Sequence, residues 1–347
     1  MSKPSKVLWI VLDSRHIGGI ETHVLQLAEG LQQHGIELQV IFLADYGPHP
    51  LRTALSEKHI VHLSLDGSIR NLWKQMNTHT PALIHTHGYK AGIYGRLCGH
   101  FSSIPVVSTY HSGEICSGRL ALYDCIDRYS SALASKVYVV SPDIAQRIPV
   151  ETELVQNFIA TKGVKLSTGK QIAFVGRLSH EKGPDIYLRL ARCFPKQTFH
   201  VYGTGSLEDQ LKRDASDNVH FHGQQSDMSV VWPNIGLLVM PSRFEGLPMA
   251  ALEAMGRGIP VMAYNVGALS HLITNNKNGW IIEPMKLEHL SYQLRKWLAI
   301  SESTKSQYRQ AARITVEEKF STQVAIPQLI LTYAGLAQNK IANCIAN

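Results

Sequence analysis

The sequence predicts an α/β protein built from two Rossmann-like, doubly wound domains. Three observations point there. The chain has 347 residues, against the ~150 expected of one domain. Short apolar runs alternate with helix-period segments along most of it, and such alternation builds parallel sheets covered by helices on both faces. The alternation pauses once, at residues 157–170, and then restarts.

The expected strands before the pause are Val7–Leu12, Ile36–Leu43, Ile60–Leu63, Ala82–His85, Pro105–Thr109 and Lys136–Val140. Between the first two, Ile20–His34 sets apolar residues at 20, 24, 27, 28 and 31, one face of an amphipathic helix. The pause holds Thr161, Lys162, Gly163, Lys165, Ser167, Thr168 and Gly169, the composition of a connection. Residues 161–170 are therefore expected to link a domain of residues 1–160 to one of 171–320. Strands resume at Gln171–Val175, Thr198–Tyr202, Val219–Phe221, Leu237–Met240, Pro260–Ala263 and Trp280–Ile282. From about Lys286 the pattern is helical only. Two such domains facing a cleft would put the chemistry at the strand C-termini that line it.

Composition removes several classes. With 44% hydrophobic and 18% charged residues, the chain is neither disordered nor a coiled coil. No stretch reaches 18 consecutive apolar residues, so no membrane-spanning helix is expected. The apolar run at Val7–Leu12 is six residues long with no small-residue cleavage site after it, so it reads as a first strand and the protein is expected in the cytoplasm. Five scattered cysteines without a Cys-x-x-Cys pair argue against disulfides and zinc. The net charge is +7, but no run of five like charges offers a nucleic-acid arm. A mild attraction to anionic phosphates or an acidic membrane face remains open.

Four segments could carry chemistry. In Met240–Gly258 a strand ends, a loop holds Glu245, Gly246 and Leu247, and Pro248 suits the first turn of a helix bearing Glu253. Amides at such a helix start would seat a phosphate. A carboxylate eight residues on could accept from two vicinal hydroxyls of a ribose or sugar. The bland alternative makes Glu253 a solvated helix residue and Glu245 a cap. In Phe174–Gly183, Arg177 and Lys182 flank a loop after a strand and could converge on a diphosphate, or could simply be solvated. Gly203-Thr204-Gly205 lacks the third glycine of a dinucleotide fingerprint, so it reads as a tight turn near a nucleotide. In the first half, Gly18-Gly19 sits between strand and helix, followed by Glu21 and His23.

His85-Thr86-His87 ends one strand and His111 the next. These three could ligate a metal, since His-x-His sets two on one strand face, but no acidic or cysteine ligand of fitting spacing completes the set. His111 is better read as a polar contact to a sugar or phosphate. No Asp-x-Asp occurs, and Glu151-Thr152-Glu153 is the nearest approach to one. Enzymes that hold a nucleotide-sugar through a divalent metal need such a pair. Cations and a helix end are expected to take its place here, with no cofactor and no essential metal.

Together these segments resemble the retaining glycosyltransferases of the GT-B fold, family 4. The resemblance rests on Glu245 and Glu253 as Glu-x7-Glu, on Gly176-Arg177-Leu178 with Lys182-Gly183, on Gly203-x-Gly205, on Asn218 to Gly223 and on Gly18-Gly19-x-Glu21. It covers about residues 7 to 285. It implies that Glu253 holds the donor ribose and Glu245 the hydroxyls of the transferred sugar. Arg177 and Lys182 would bind the donor diphosphate, helped by the Gly246 and Leu247 amides. Gly203 and Gly205 belong to the same substrate-binding set. Gly18 and Gly19 would line the diphosphate and acceptor side, and His111 would contact the transferred sugar. A helical tail, residues 321–347, would pack back on the first domain. Where the family has Asn-Gly-Val/Ile-Asp, this chain has Asn157-Phe158-Ile159-Ala160, so Asn157 receives no role.

The activity so implied moves a hexose or N-acetylhexosamine from a nucleotide-sugar to a glycan or lipid-linked hydroxyl, in bacterial surface polysaccharide synthesis. UDP-sugar is favoured over GDP-mannose. Helix-like Lys90–Phe101, with Lys90, Arg96 and His100, could rest on an anionic membrane at the cytoplasmic face of the inner membrane, or pack on its own sheet. A nucleotide-sugar 2-epimerase of the same layout and a non-catalytic glycan-binding scaffold are the alternatives. Nucleic acid is not an expected partner.

Overall fold

The computed structural model describes residues 7–15, 18–111, 119–225 and 227–345, with side chains at all but 119, 120 and 338–345. The chain divides into two compact units, one of Met1–Phe158 with Thr322–Asn347, the other of Ile159–Ser321. Among the described residues no helix is long and apolar enough to cross a membrane.

The first unit runs β1 (Leu8–Leu12), α1 (Gly19–Gln33), β2 (Leu38–Phe42), α2 (Pro50–Glu57), β3 (His62–Ser64), α3 (Ile69–His79), β4 (Leu83–His87), α4 (Tyr89–Phe101), β5 (Val106–Tyr110), α5 (Arg119–Ser130), β6 (Lys136–Val139), α6 (Pro142–Ala145) and β7 (Glu153–Leu154). All seven strands pair in parallel in the order β3-β2-β1-β4-β5-β6-β7. Every residue of β1, β4 and β5 is buried, as a central parallel strand covered on both faces requires.

The second unit runs β8 (Gln171–Val175), α7 (Pro184–Arg192), β9 (Phe199–Tyr202), α8 (Glu208–Asp214), β10 (Val219–Phe221), β11 (Ile235–Met240), α9 (Met249–Met255), β12 (Val261–Tyr264), α10 (Leu269–Leu272), β13 (Gly279–Ile282), α11 (Leu287–Ala299) and α12 (Glu302–Lys319). Its six parallel strands lie in the order β10-β9-β8-β11-β12-β13. Ile159 and Ser321 form a bridge, so the chain enters and leaves this unit side by side.

The last helix, α13 (Thr322–Ile345), belongs to the first unit. Its Ile326, Leu329 and Tyr333 share one core with Leu27 and Leu31 of α1. The Tyr333 hydroxyl lies 2.7 Å from His85 Nδ1, and Tyr138 donates to Thr332 at 3.0 Å.

Two expectations change. Residues 161–170 are not a free connection, because the second unit absorbs them: Ser167 Oγ donates to the carbonyls of Pro233 at 3.1 Å and Ile235 at 2.5 Å. Nor is helix α4 a basic surface, since Arg96 is 1% exposed and its guanidinium pairs with Asp127 at 2.5 Å. Flanked by α3 and α5, α4 packs on its own sheet, as the alternative has it, and the membrane reading loses its central cation.

Candidate active site

In each sheet the strand order reverses once, between β1 and β4 and between β8 and β11. Loops leaving the C-terminal ends of such neighbours splay apart, which is where a doubly wound sheet binds its ligand.

In the second unit the loop after β8 carries Arg177, runs through a tight turn at His180–Lys182 and enters α7 at Gly183. Gly183 has φ +67, and a Cβ there would meet the Pro241 carbonyl oxygen at 2.1 Å. Only glycine lets this turn touch the loop after β11. Arg243 ties the same two loops: its amide donates to Glu181 O at 2.7 Å and its guanidinium to both Asp185 oxygens at 2.8 and 2.6 Å. The fork holds the Asp185 carboxyl below its ordinary range.

That contact brings Lys182 and Glu245 together. Lys182 Nζ donates to Glu245 Oε2 at 2.6 Å, and Ser242 Oγ donates to the other oxygen at 2.8 Å. The Glu245 side chain is 3% exposed while that of Lys182 is 30% exposed. A buried carboxylate thus fixes a cation whose head still reaches solvent. Behind the loop, the Ala268 amide donates to Gly246 O at 2.9 Å and Leu247 is buried. Pro248 lies just outside α9 in extended conformation rather than inside its first turn.

Arg177 is exposed, with the Glu181 carboxylate within reach of its charge. Glu253 is half-buried: Trp232 Nε1 donates to it at 3.0 Å, and burial pushes its carboxyl up despite Arg257 nearby. The solvated-residue alternative for Glu253 therefore fails. For Gly203 and Gly205 the structure supplies a packing reason. Cβ atoms there would meet the Gly176 and Leu178 carbonyl oxygens at 2.0 and 2.4 Å, so the turns after β8 and β9 touch backbone to backbone.

In the first unit Gly18 caps α1, which begins at Gly19, and its carbonyl accepts from the Thr22 amide and hydroxyl, both at 3.0 Å. The histidine grouping differs from expectation. His85 uses both ring nitrogens, toward Tyr333 and Thr109, each at 2.7 Å. The third ring beside His87 and His111 is instead His23 of α1, and one nitrogen from each of the three lies within 4.8 Å of the others. His87 Nδ1 sits 2.8 Å from His111 Nε2, while His23 is bonded by Asn157. Burial lowers His23 to about 4 and both partners well below their ordinary value, so all three rings are neutral.

Sequence reasoning did not single out Arg243, Asp185, Ser242 or Trp232, and it gave no role to Asn157, which the structure sets against His23. The first three stand inside or beside the motifs, at spacings that gain meaning only once two loops meet.

Two family models match in tandem: Glycosyltransferase Family 4 over residues 17–149 and Glycosyl transferases group 1 over residues 155–314. The chain belongs to the family 4 glycosyltransferases. Among relatives of this glycosyltransferase, an uncharacterized Haemophilus influenzae glycosyltransferase is 31% identical over 35% of the chain, which spans only 37% of that protein. The O-antigen biosynthesis glycosyltransferase WbnH of Escherichia coli is 28% identical over 73% of this chain and 77% of its own. An E. coli UDP-Gal:alpha-D-GlcNAc-diphosphoundecaprenol alpha-1,3-galactosyltransferase is 26% identical over 62% and 66%. The Anabaena HepE structure with UDP-glucose superposes with TM-score 0.83 at 18% identity, covering 95% of this chain and 99% of that one. The fold is GT-B.

Proposed function

We propose that this glycosyltransferase is a retaining, metal-independent hexosyltransferase. It would move a hexose or N-acetylhexosamine from a UDP-sugar to a hydroxyl of a glycan or lipid-linked acceptor, on the cytoplasmic side, during synthesis of a bacterial surface polysaccharide. One observation carries the reading. At the strand ends where the second sheet reverses, a buried carboxylate, Glu245, is held by Ser242 and paired with a cation, Lys182, that still reaches solvent.

That set suits charge developing on a leaving diphosphate. Arg177, exposed in the loop after β8, supplies a fork for its oxygens, and Lys182 a point charge. Cations and the Gly246 and Leu247 amides then do what a metal held by paired carboxylates would do elsewhere. Glu245 takes hydroxyls of the transferred sugar and Glu253 the ribose, while the departing diphosphate accepts the acceptor's proton. The donor base is inferred from relatives: one is named for UDP-Gal as donor, and HepE holds UDP-glucose. The surface polysaccharide context rests on the name of WbnH.

The test is transfer from UDP-glucose, UDP-galactose, UDP-N-acetylglucosamine or GDP-mannose to a synthetic N-acetylglucosaminyl diphospholipid, in chelator, with the product's anomeric coupling read by proton NMR. The expected product is α-linked and forms from a UDP-sugar. A β-linked product would overturn retention, and product only with added magnesium would overturn metal independence. Isomerisation of free UDP-sugar without acceptor would favour the epimerase.

A further inference from the structure

His23, His87 and His111 converge from α1, the end of β4 and the end of β5. Three imidazoles within 4.8 Å invite a metal, but the spacing of two of them argues otherwise. Two nitrogens on one tetrahedral zinc, each about 2.0–2.1 Å from it, stand roughly 3.3–3.4 Å apart. His87 Nδ1 and His111 Nε2 are 2.8 Å apart, the length of a hydrogen bond. One of these two nitrogens therefore carries the shared proton.

The structure also indicates which. His87 is 1% exposed, and its Nε2 is buried with no partner among the described residues. Each neutral ring carries one proton. If His87 accepted the bond, its own proton would sit on Nε2, a buried N–H with nowhere to donate. If His87 donates from Nδ1, only a bare lone pair is left at Nε2. An orphaned buried N–H is the rarer of the two outcomes. Donation by His87 fills the lone pair of His111 Nε2, so the His111 proton must reside on Nδ1.

We infer that His87 is a positioning residue that locks His111 as the Nδ1–H tautomer, so that His111 meets the transferred sugar as a hydrogen-bond donor and not as a base. The inference rests on the reading of His111 as the sugar contact. In that role the ring would hold a sugar hydroxyl oxygen in place while the glycosidic bond breaks. His85 next to it, its ring 4.2 Å from that of His87, is bonded at both nitrogens and packs against the His87 ring.

The full-length chain labelled with 15N answers the tautomer question through two-bond 1H–15N correlations, with no substrate present. The native protein is expected to show His111 protonated at Nδ1. In His87→Leu the donor is gone and His111 should shift toward the Nε2–H form. In His87→Asn the amide nitrogen replaces Nδ1 and should restore the native pattern. With UDP-glucose and UDP-galactose as probes, UDP release by His87→Leu is expected to slow about tenfold, the worth of one hydrogen bond. Calorimetric UDP affinity should be unchanged, and His87→Asn should recover to within about threefold of native turnover. His111 protonated at Nε2 in the native chain, or a tautomer indifferent to His87→Leu, would overturn the inference. If His111→Ala turned over like the native chain, the sugar contact itself would fall, and the spectra would still report the tautomer independently.

Discussion

Lys182→Ala is expected to lower the rate of sugar transfer by about 10²–10³, the usual loss when one donor aimed at developing charge is removed. In the proposed site the ammonium, held by Glu245 at 2.6 Å, would meet the charge that appears as the diphosphate leaves. Because a bound donor already carries charge, part of the effect falls on KM. The larger part falls on kcat, since the charge grows as the bond breaks. Lys182→Arg should recover little, because a planar fork does not replace a point charge paired with one buried oxygen. The measurement is UDP release at saturating donor for the native chain, both variants, Glu245→Gln and the double variant Lys182→Ala, Glu245→Gln. The last of these checks that an unpaired Glu245 is not itself the cause. A loss below about tenfold in Lys182→Ala would remove Lys182 from the leaving-group site.

Arg96→Ala is expected to destabilise the first unit by about 3–5 kcal/mol, the cost of leaving a buried charge without its partner. Arg96 makes four bonds: to Ser108 at 3.0 Å, to the Asp127 carbonyl at 2.9 Å and carboxylate at 2.5 Å, and to Ser130 at 2.8 Å. The Asp127 carbonyl also accepts from the Tyr110 hydroxyl at 2.8 Å, so the network anchors the end of β5 just before His111. The double variant Arg96→Met, Asp127→Leu should return most of the stability, because apolar residues of similar volume carry no desolvation cost. Thermal unfolding checks this. At about 2–4 °C per kcal/mol for a unit of this size, the single variant should melt some 6–20 °C lower. A shift of about 2 °C or less would mean that water already solvates the pair.

Much of the fold was legible because the strands on either side of each reversal, β1, β8 and β11, are apolar runs, and β4 and β5 each open on two apolar residues. Every expected strand appears with its ends within two residues. What escaped was short or conditional. The strand Glu153–Leu154 is two exposed residues, with no periodicity to read. Residues 161–170 have a linker's composition, yet the Ser167 hydroxyl finds two carbonyls far along the chain, and composition does not report that. Arg96 stands among alternating basic and apolar residues that suit a wet helix edge equally well. Its burial follows from Asp127, thirty-one positions away.

At the candidate site the loops and their charged residues could be picked out, but their partners could not. His85 and His87 looked equivalent on one strand face until Tyr333 and Thr109 claimed both nitrogens of His85. His23 joins His87 across 64 positions because α1 lies beside the ends of β4 and β5. Arg243 and Asp185 acquire a joint function only when Gly183 lets two loops touch.

The central claim is a metal-independent nucleotide-sugar site in the second unit. Calorimetric titration with UDP and with GDP, in chelator and again in magnesium, tests it most directly, using the native chain and Glu253→Gln. The account predicts that UDP binds alike in both conditions and GDP weakly. In Glu253→Gln, which keeps an oxygen for Trp232, UDP affinity should fall about ten- to a hundredfold, the worth of a charged hydrogen bond. Binding that requires magnesium, or UDP affinity indifferent to Glu253, would contradict it.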